Sequence, residues 1–254
     1  LFSSMPPRLF RFIRLLPGAG DTMLRAIDAT SPPHALLLKR IRSGPLSGMT
    51  LDVDPRALDM VIGRYEPAIQ AVLESTLRAG DVAFDIGANL GYFTLVMAKQ
   101  VGPRGRVVSF EPDPEMFSAL TRNVGRNVDD SDGIIAVPAA VGAEAGAGRF
   151  ARGSRSTRGK VVSAGGDLEV DLMKVDDAAD RFGAPRLLKI DVEGAELDVL
   201  RGASTVLKSE KPLVLVELHS EELERRCTQL LEEFGYECAR RVDLGKREPY
   251  LIAT

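Results

Sequence analysis

Cysteine is scarce in this 254-residue chain: Cys227 and Cys238 are the only two, and they form no CxxC pair. Their scarcity excludes a zinc-site signature and a disulfide framework, and it fits a reducing compartment, so a cytoplasmic location is expected. Long apolar runs are missing too. None reaches the ~20 residues that a membrane-spanning helix needs, and the opening LFSSMPPRLFRFIRLLPGAGD lacks the unbroken apolar segment of a secretory leader. Charge of one sign is also absent. The 33 Lys and Arg stand against 36 Asp and Glu, a formal net charge of −3, which supplies no overall basic field of the kind that nucleic acid requires. No nucleic-acid partner is expected. What remains, at 44% hydrophobic and 27% charged residues, is a globular chain long enough for a full core.

From Val82 onward, short apolar runs alternate with helical patterns: VAFDI, a helix over Leu90 to Val101, RVVSF, EMFSALTRNVGRN and IIAV. The rhythm resumes with RLLKID, AELDVLRGASTVL, PLVLVEL, EELERRCTQLLEEFG, YECARRV and PYLIA. Such alternation predicts an α/β fold with a doubly wound, mostly parallel sheet whose ligands bind at the carboxyl ends of the strands. The last two runs read as a hairpin, which gives the sheet an antiparallel edge strand. Residues 1–78 read as an N-terminal extension or lid with helices and a short strand, MTLDV, and residues 79–254 as the ligand-binding domain. Within the latter, residues 143–166 are too glycine-rich for a helix and read as a loop or β excursion.

The stretch VAFDIGANLGYFT carries the first chemical signal. Asp85 ends a strand, Gly87 and Gly91 bracket a turn with Ala88 between them, Asn89 is positioned to cap the next helix, and Tyr92 opens that helix, where it can flank a ligand. Many nucleotide sites share this outline. Asp85 discriminates among them, because a carboxylate repels a pyrophosphate and attracts the ammonium and sulfonium of S-adenosylmethionine. The second signal is VVSFEPD, where Glu111, followed by Pro112, stands at the tip of the next strand as a bidentate acceptor for ribose hydroxyls. An NAD-dependent oxidoreductase shares the strand, glycine and acid order but predicts a tighter GxGxxG. A non-catalytic S-adenosylmethionine-binding module is a third reading.

Together, DIGANLGYFT, SFEPDP, KIDVEGAELDVLRGA and LVELHS resemble the FkbM-type family of S-adenosylmethionine-dependent methyltransferases, over Tyr65 to about Ala253. The resemblance implies the Rossmann-like sheet of class I methyltransferases, S-adenosylmethionine as cofactor, and O-methylation of a hydroxyl on a small molecule, sugar or glycan/lipid-linked acceptor. It sets Asp85, Gly87, Asn89, Gly91 and Glu111 on cofactor positions, with Ala88, Tyr92 and Pro112 beside them, and Asp191 and Glu193 next to the transferred methyl. No PPY-type run accompanies the later strands, which disfavours adenine or amide N-methylation.

A hydroxyl acceptor needs a base, and Asp191, Glu193 and His219 all follow strands. His219 is favoured for its ordinary pKa near neutrality. Asp191, Glu193, Glu217 and His219 carry oxygen and nitrogen donors, but nothing fixes a coordination geometry and no metal is assigned. Lys189, inside an apolar strand, either pairs with a neighbouring acid or snorkels at the sheet edge. Two basic stretches read as solvated charged segments, with a partner as the alternative: Arg149, Arg152, Arg155, Arg158 and Lys160 for an anionic acceptor, and Arg8, Arg11 and Arg14 for an anionic membrane surface.

Overall fold

The computed structural model describes residues 35–129, 133–153, 159–162, 165–242 and 249–254. The readings made of Arg8, Arg11, Arg14, Arg155 and Arg158 lie outside the described residues. Among those described, no helix is long and apolar enough to cross a membrane.

The described part of the N-terminal extension holds an antiparallel pair, β1 (Leu37–Arg40) and β2 (Thr50–Val53), then α1 (Leu58–Val61) and α2 (Pro67–Thr76). The main sheet follows. Its strands β3 (Val82–Ile86), β4 (Arg106–Phe110) and β5 (Ile134–Val137) alternate with α3 (Tyr92–Val101) and α4 (Pro114–Asn127). A smaller sheet of β6 (Ala139–Val141), β7 (Gly146–Ala151), β8 (Lys160–Val162) and β9 (Leu168–Met173) then interrupts the rhythm, in the order β6-β9-β7-β8. The main sheet resumes through α5 (Val175–Phe182), β10 (Leu187–Ile190), α6 (Glu196–Arg201), α7 (Ser204–Ser209), β11 (Leu213–Glu217), α8 (Glu221–Glu233), β12 (Cys238–Val242) and β13 (Tyr250–Ala253). Segment 143–166 therefore contributes β7 and β8 to the smaller sheet.

The main sheet runs β12-β13-β11-β10-β3-β4-β5. Strands β11, β10, β3, β4 and β5 are parallel, and β13 lies antiparallel between β11 and β12. Chain order reverses between β3 and β10, so the crevice that receives ligands in such sheets opens beyond those two strand ends.

Alternation along the strands divides the core in two. Phe84, Ile86, Val108, Phe110, Leu188 and Ile190 face one side and pack with α5 to α8. Ala83, Val107, Leu187 and Leu215 face the other, where they join α2, α3 and the N-terminal residues Ile41, Leu46, Leu51 and Val53 in one cluster. The described N-terminal elements thus form an outer layer on the sheet, sharing its core. Two asparagines fasten that layer. Asn123 and Asn127, one turn apart on α4, use their side-chain amides like a neighbouring strand: Asn123 accepts from Asp52 N and donates to Asp52 O, and Asn127 accepts from Thr50 N and donates to Thr50 O.

A polar row breaks the apolar alternation. Lys189, Asp85 and Ser109 are register partners on β10, β3 and β4, one residue before each strand ends. All three are buried, and buried charges persist only when paired.

Candidate active site

A cavity opens at the carboxyl ends of β3, β4, β10 and β11, with Gly87, Ala88, Asn89, Tyr92, Glu111, Pro112, Asp191, Glu193 and His219 all on its wall. These are the sequence-derived site residues with two exceptions, Asp85 and Gly91. Phe150 and Val161 of the smaller sheet, with Arg152 just past β7, close another side.

The glycine loop is shaped by sterics. Gly87 has φ +80, and a Cβ there would lie 1.8 Å from Asp191 O, so only glycine lets β3 and the chain after β10 approach this closely. Every N–H from 87 to 91 is already used: Gly87 and Ala88 donate to Phe110 O, Asn89 to Glu111 Oε2, Leu90 to Asn89 Oδ1 and Gly91 to Ala88 O. A phosphate cradle needs such groups free. Asn89 consequently does not cap the helix as expected; Gly91 holds the N-cap position of α3 and makes no side-chain bond.

Glu111 is 6% exposed, its carboxylate gripped by Asn89 N at 2.8 Å and Asp113 N at 2.9 Å. Burial pushes its pKa up to about 7 against the pull of those two N–H groups. It is an oriented acceptor at the cavity wall, suited to a pair of hydroxyls.

Asp85 departs from expectation. It is fully buried and does not reach the cavity. Its Oδ2 accepts from Thr94 Oγ1 at 2.7 Å, and its Oδ1 lies 3.3 Å from Lys189 Nζ. The carboxylate is spent on a lysine directly across the strand pair, a partner that local sequence does not reveal. Lys189 also lies 3.7 Å from Asp191 Oδ2, with its ammonium 5.1 Å from the Phe93 ring centroid. Burial alone would favour losing its proton, but Asp85, Asp191, Glu66 and Glu217 outweigh that and raise its pKa above the usual lysine value.

His219 sits between two acids that follow β10, Glu193 in the loop and Glu196 at the start of α6. Its Nδ1 is 2.5 Å from Glu196 Oε1 and its Nε2 is 3.4 Å from Glu193 Oε2. Glu196 also accepts from Gly194 N at 2.9 Å, so one fully buried carboxylate ties the Glu193–Gly194 turn to the histidine. Burial lowers the histidine's pKa, yet the hydrogen bond and charge of Glu196, with the charges of Asp191 and Glu193, carry it up to about 9. The near-neutral pKa on which His219 was favoured as base is therefore displaced, and the ring is protonated at neutrality. Glu196 was missed in the sequence because, on the solvent-charged pattern of AELDVLRGA, it reads as an ordinary helix acid.

A third group comes from the chain ends. Tyr250 Oη lies 3.0 Å from Glu66 Oε2 and 2.9 Å from Glu217 Oε2. Tyr65 stacks edge-on against Tyr92 at 5.3 Å between centroids. Among described non-glycine residues, Glu66, Asn89, Glu193 and Lys211 have positive φ. The first three line the cavity, and strain of this kind gathers at functional sites.

A doubly wound sheet in this order, with an antiparallel strand slotted beside its last parallel one and a cavity at the glycine-loop end, is the class I methyltransferase fold. The solved FkbM methyltransferase of Methylobacillus flagellatus KT superposes on 78% of this chain and 52% of its own at a TM-score of 0.56 and 20% identity. Residues 85–238 match the methyltransferase FkbM domain model, and the chain belongs to that family. Among curated relatives, the hexuronic acid methyltransferase AglP of Haloferax volcanii is 29% identical over 175 residues, 67% of this chain and 69% of that protein. The 31-O-demethyl-FK506 methyltransferase FkbM of Streptomyces tacrolimicus is 49% identical over 51 residues, 20% of this chain and 19% of that protein. This chain thus spans about half the length of the solved relative.

Proposed function

We propose that this chain is an S-adenosylmethionine-dependent O-methyltransferase whose acceptor is a hydroxyl on a small molecule, sugar or glycan/lipid-linked compound. The observation that carries the reading is Glu111, an oriented carboxylate on a cavity whose glycine loop has no N–H to spare. That combination suits a ribose diol and a cationic ligand, and it disfavours a dinucleotide's pyrophosphate. Asp191 and Glu193 add negative charge at the cavity wall. When bound, the cofactor supplies a methyl group on a sulfonium, with a neutral thioether as leaving group.

The protein's work is then alignment and proton removal. Glu111 accepts from the ribose hydroxyls, and Asp191 with Glu193 favours the positive end of the cofactor. Glu196 holds His219 through Nδ1, so Nε2, which faces Glu193 at 3.4 Å, is the nitrogen that takes the acceptor's proton once it has lost its own. Because that nitrogen is protonated at neutrality, the base form grows in as pH rises toward the raised pKa of about 9. The activities named for the relatives support oxygen and sugar-like acceptors, the AglP relative pointing to hexuronic acids.

Calorimetry with S-adenosylmethionine and transfer of a radiolabelled methyl group to a panel of glycosides, uronic acids and hydroxylated macrolides test the reading. Binding that weakens about tenfold or more in Glu111→Ala, from loss of hydrogen bonds to a charged acceptor, and label on acceptor oxygen are expected. Wild-type affinity in Glu111→Ala, or label on nitrogen or carbon, overturns it.

A further inference from the structure

Tyr250 has one hydroxyl proton and two carboxylates to serve. Glu66 Oε2 and Glu217 Oε2 both lie within hydrogen-bond distance of its Oη, and all three residues are buried. A phenol donates one hydrogen bond, and an ionised carboxylate only accepts. The second contact therefore needs a carboxyl proton, donated to the phenol oxygen. The phenol is not the group that ionises, since burial and the charges of Asp191, Glu66 and Glu217 hold its pKa well above the usual tyrosine value.

We propose that Glu66, Tyr250 and Glu217 share one carboxyl proton, resident on Glu217, and that this proton pins the chain entering α2 to the end of β11, making Tyr250 a positioning residue of the cavity wall. Glu217 donates to Tyr250, and Tyr250 donates to Glu66. The pinned segment is strained: Glu66 is the N-cap of α2 with φ 47, a conformation that costs a non-glycine residue energy. Holding Glu66 also holds Tyr65, whose ring packs on Tyr92 and Phe93 at 5.3 and 5.5 Å. The anchor thus joins three parts of the chain far apart in sequence, at one edge of the site.

The groups facing Glu217 decide where the proton rests. Lys189 approaches from β10 and Asp191 from just beyond it, Glu66 and Tyr65 from the segment before α2, Tyr250 from β13, and His219 from just beyond β11. Burial, then the charges of Asp191 and Glu66, raise Glu217 to about 8. The proton is therefore kept at neutral pH and lost in mild alkali. Once it leaves, Glu66 and Glu217 compete for the one Tyr250 proton, Tyr65 bonding only Glu66, and the tie between the entry segment and β11 is lost.

The catalytic meaning of this anchor rests on the methyltransferase reading, but the proton belongs to the unliganded chain and is tested there. Infrared difference spectra at neutral pH, wild type minus Glu217→Gln so that the Glu111 carboxyl cancels, should show a protonated-carboxyl C=O band that titrates away with a midpoint near 8. Hydrogen exchange, corrected for the intrinsic effect of pH, gives the second arm. The Ile69 and Gln70 amides, which donate to Glu66 O, should lose about tenfold protection in alkali in the wild type, and at every pH in Tyr250→Phe. In Glu217→Gln, the neutral mimic of the acid, they should stay protected throughout. No such band at neutral pH, or a Glu217→Gln chain as unprotected as Tyr250→Phe, overturns the proposal while leaving methyl transfer untouched. Should Tyr250→Phe fail to fold, the infrared band and the Glu217→Gln exchange decide alone. A chain with the band and without methyl transfer overturns only the enzymatic reading.

Discussion

At the scale of single residues, the site is governed by which acid each cation meets. Asp85 faces Lys189 and not the cavity, so Asp85→Ala is expected to leave a buried ammonium with Asp191 as its remaining close carboxylate and destabilise the fold by about 3–5 kcal/mol, read as a lower denaturation midpoint, with weakened cofactor binding following from the disturbed cavity. An unchanged midpoint would mean that Lys189 finds adequate charge in Asp191 alone. His219 gives a kinetic prediction. His219→Ala should lower kcat by about 10²–10⁴-fold and abolish the rise in rate toward alkaline pH, while calorimetric cofactor affinity barely moves. The same histidine has a stability signature of defined sign. Its folded pKa of about 9 lies above the ordinary 6.5, so its contribution is fully present below the ordinary value and fades as pH climbs through 9. Glu196→Gln should flatten that dependence, checked by denaturation curves across the alkaline range.

At the scale of elements, two contacts replace what strand pairing would otherwise supply. The amides of Asn123 and Asn127 engage alternate residues of β2, and Asn123 also donates to Leu90 O at 2.8 Å, which links the outer layer to the glycine loop. Removing a buried side chain that satisfies several backbone groups leaves those groups unpaired, so Asn123→Ala should cost about 2–3 kcal/mol. Chemical denaturation measures it, and a cost no larger than that of a surface alanine substitution would show that water replaces the amide. Gly87→Ala is the steric counterpart. With a Cβ required only 1.8 Å from Asp191 O, the alanine variant must push β3 from the chain after β10, and cofactor binding should be lost even where the circular dichroism spectrum is retained.

For the whole molecule, the parallel sheet, the antiparallel hairpin and the placing of Gly87 to Glu111 at the carboxyl ends of the strands were legible because each depends on local pattern: apolar runs, turn residues, acids at strand tips. The partners of those acids were not. Lys189 meets Asp85 through strand register, and Tyr250 meets Glu66 across 184 positions of sequence, separations that periodicity cannot encode. The smaller sheet was only half legible, since GAGRFA has too little β propensity to announce β7, and β6 and β9 fell within stretches that read as connections. This sheet is tied across the cavity by Arg152, whose guanidinium takes Asp113 Oδ2 at 2.8 Å and Oδ1 at 3.1 Å, so the arginine expected to greet an anionic acceptor is engaged by the protein itself. Arg152→Ser should raise the KM of both substrates severalfold and reduce its dependence on ionic strength, with kcat nearly unchanged; identical kinetics at low and high salt would make the pair incidental. Lys189 has one more consequence. Its ammonium, 2% exposed and enclosed by carboxylates, is out of reach of amine-acylating reagents that mark surface lysines, so the moment at which it becomes acylated times the opening of the sheet's centre, a chemical clock built into the protein's own strand.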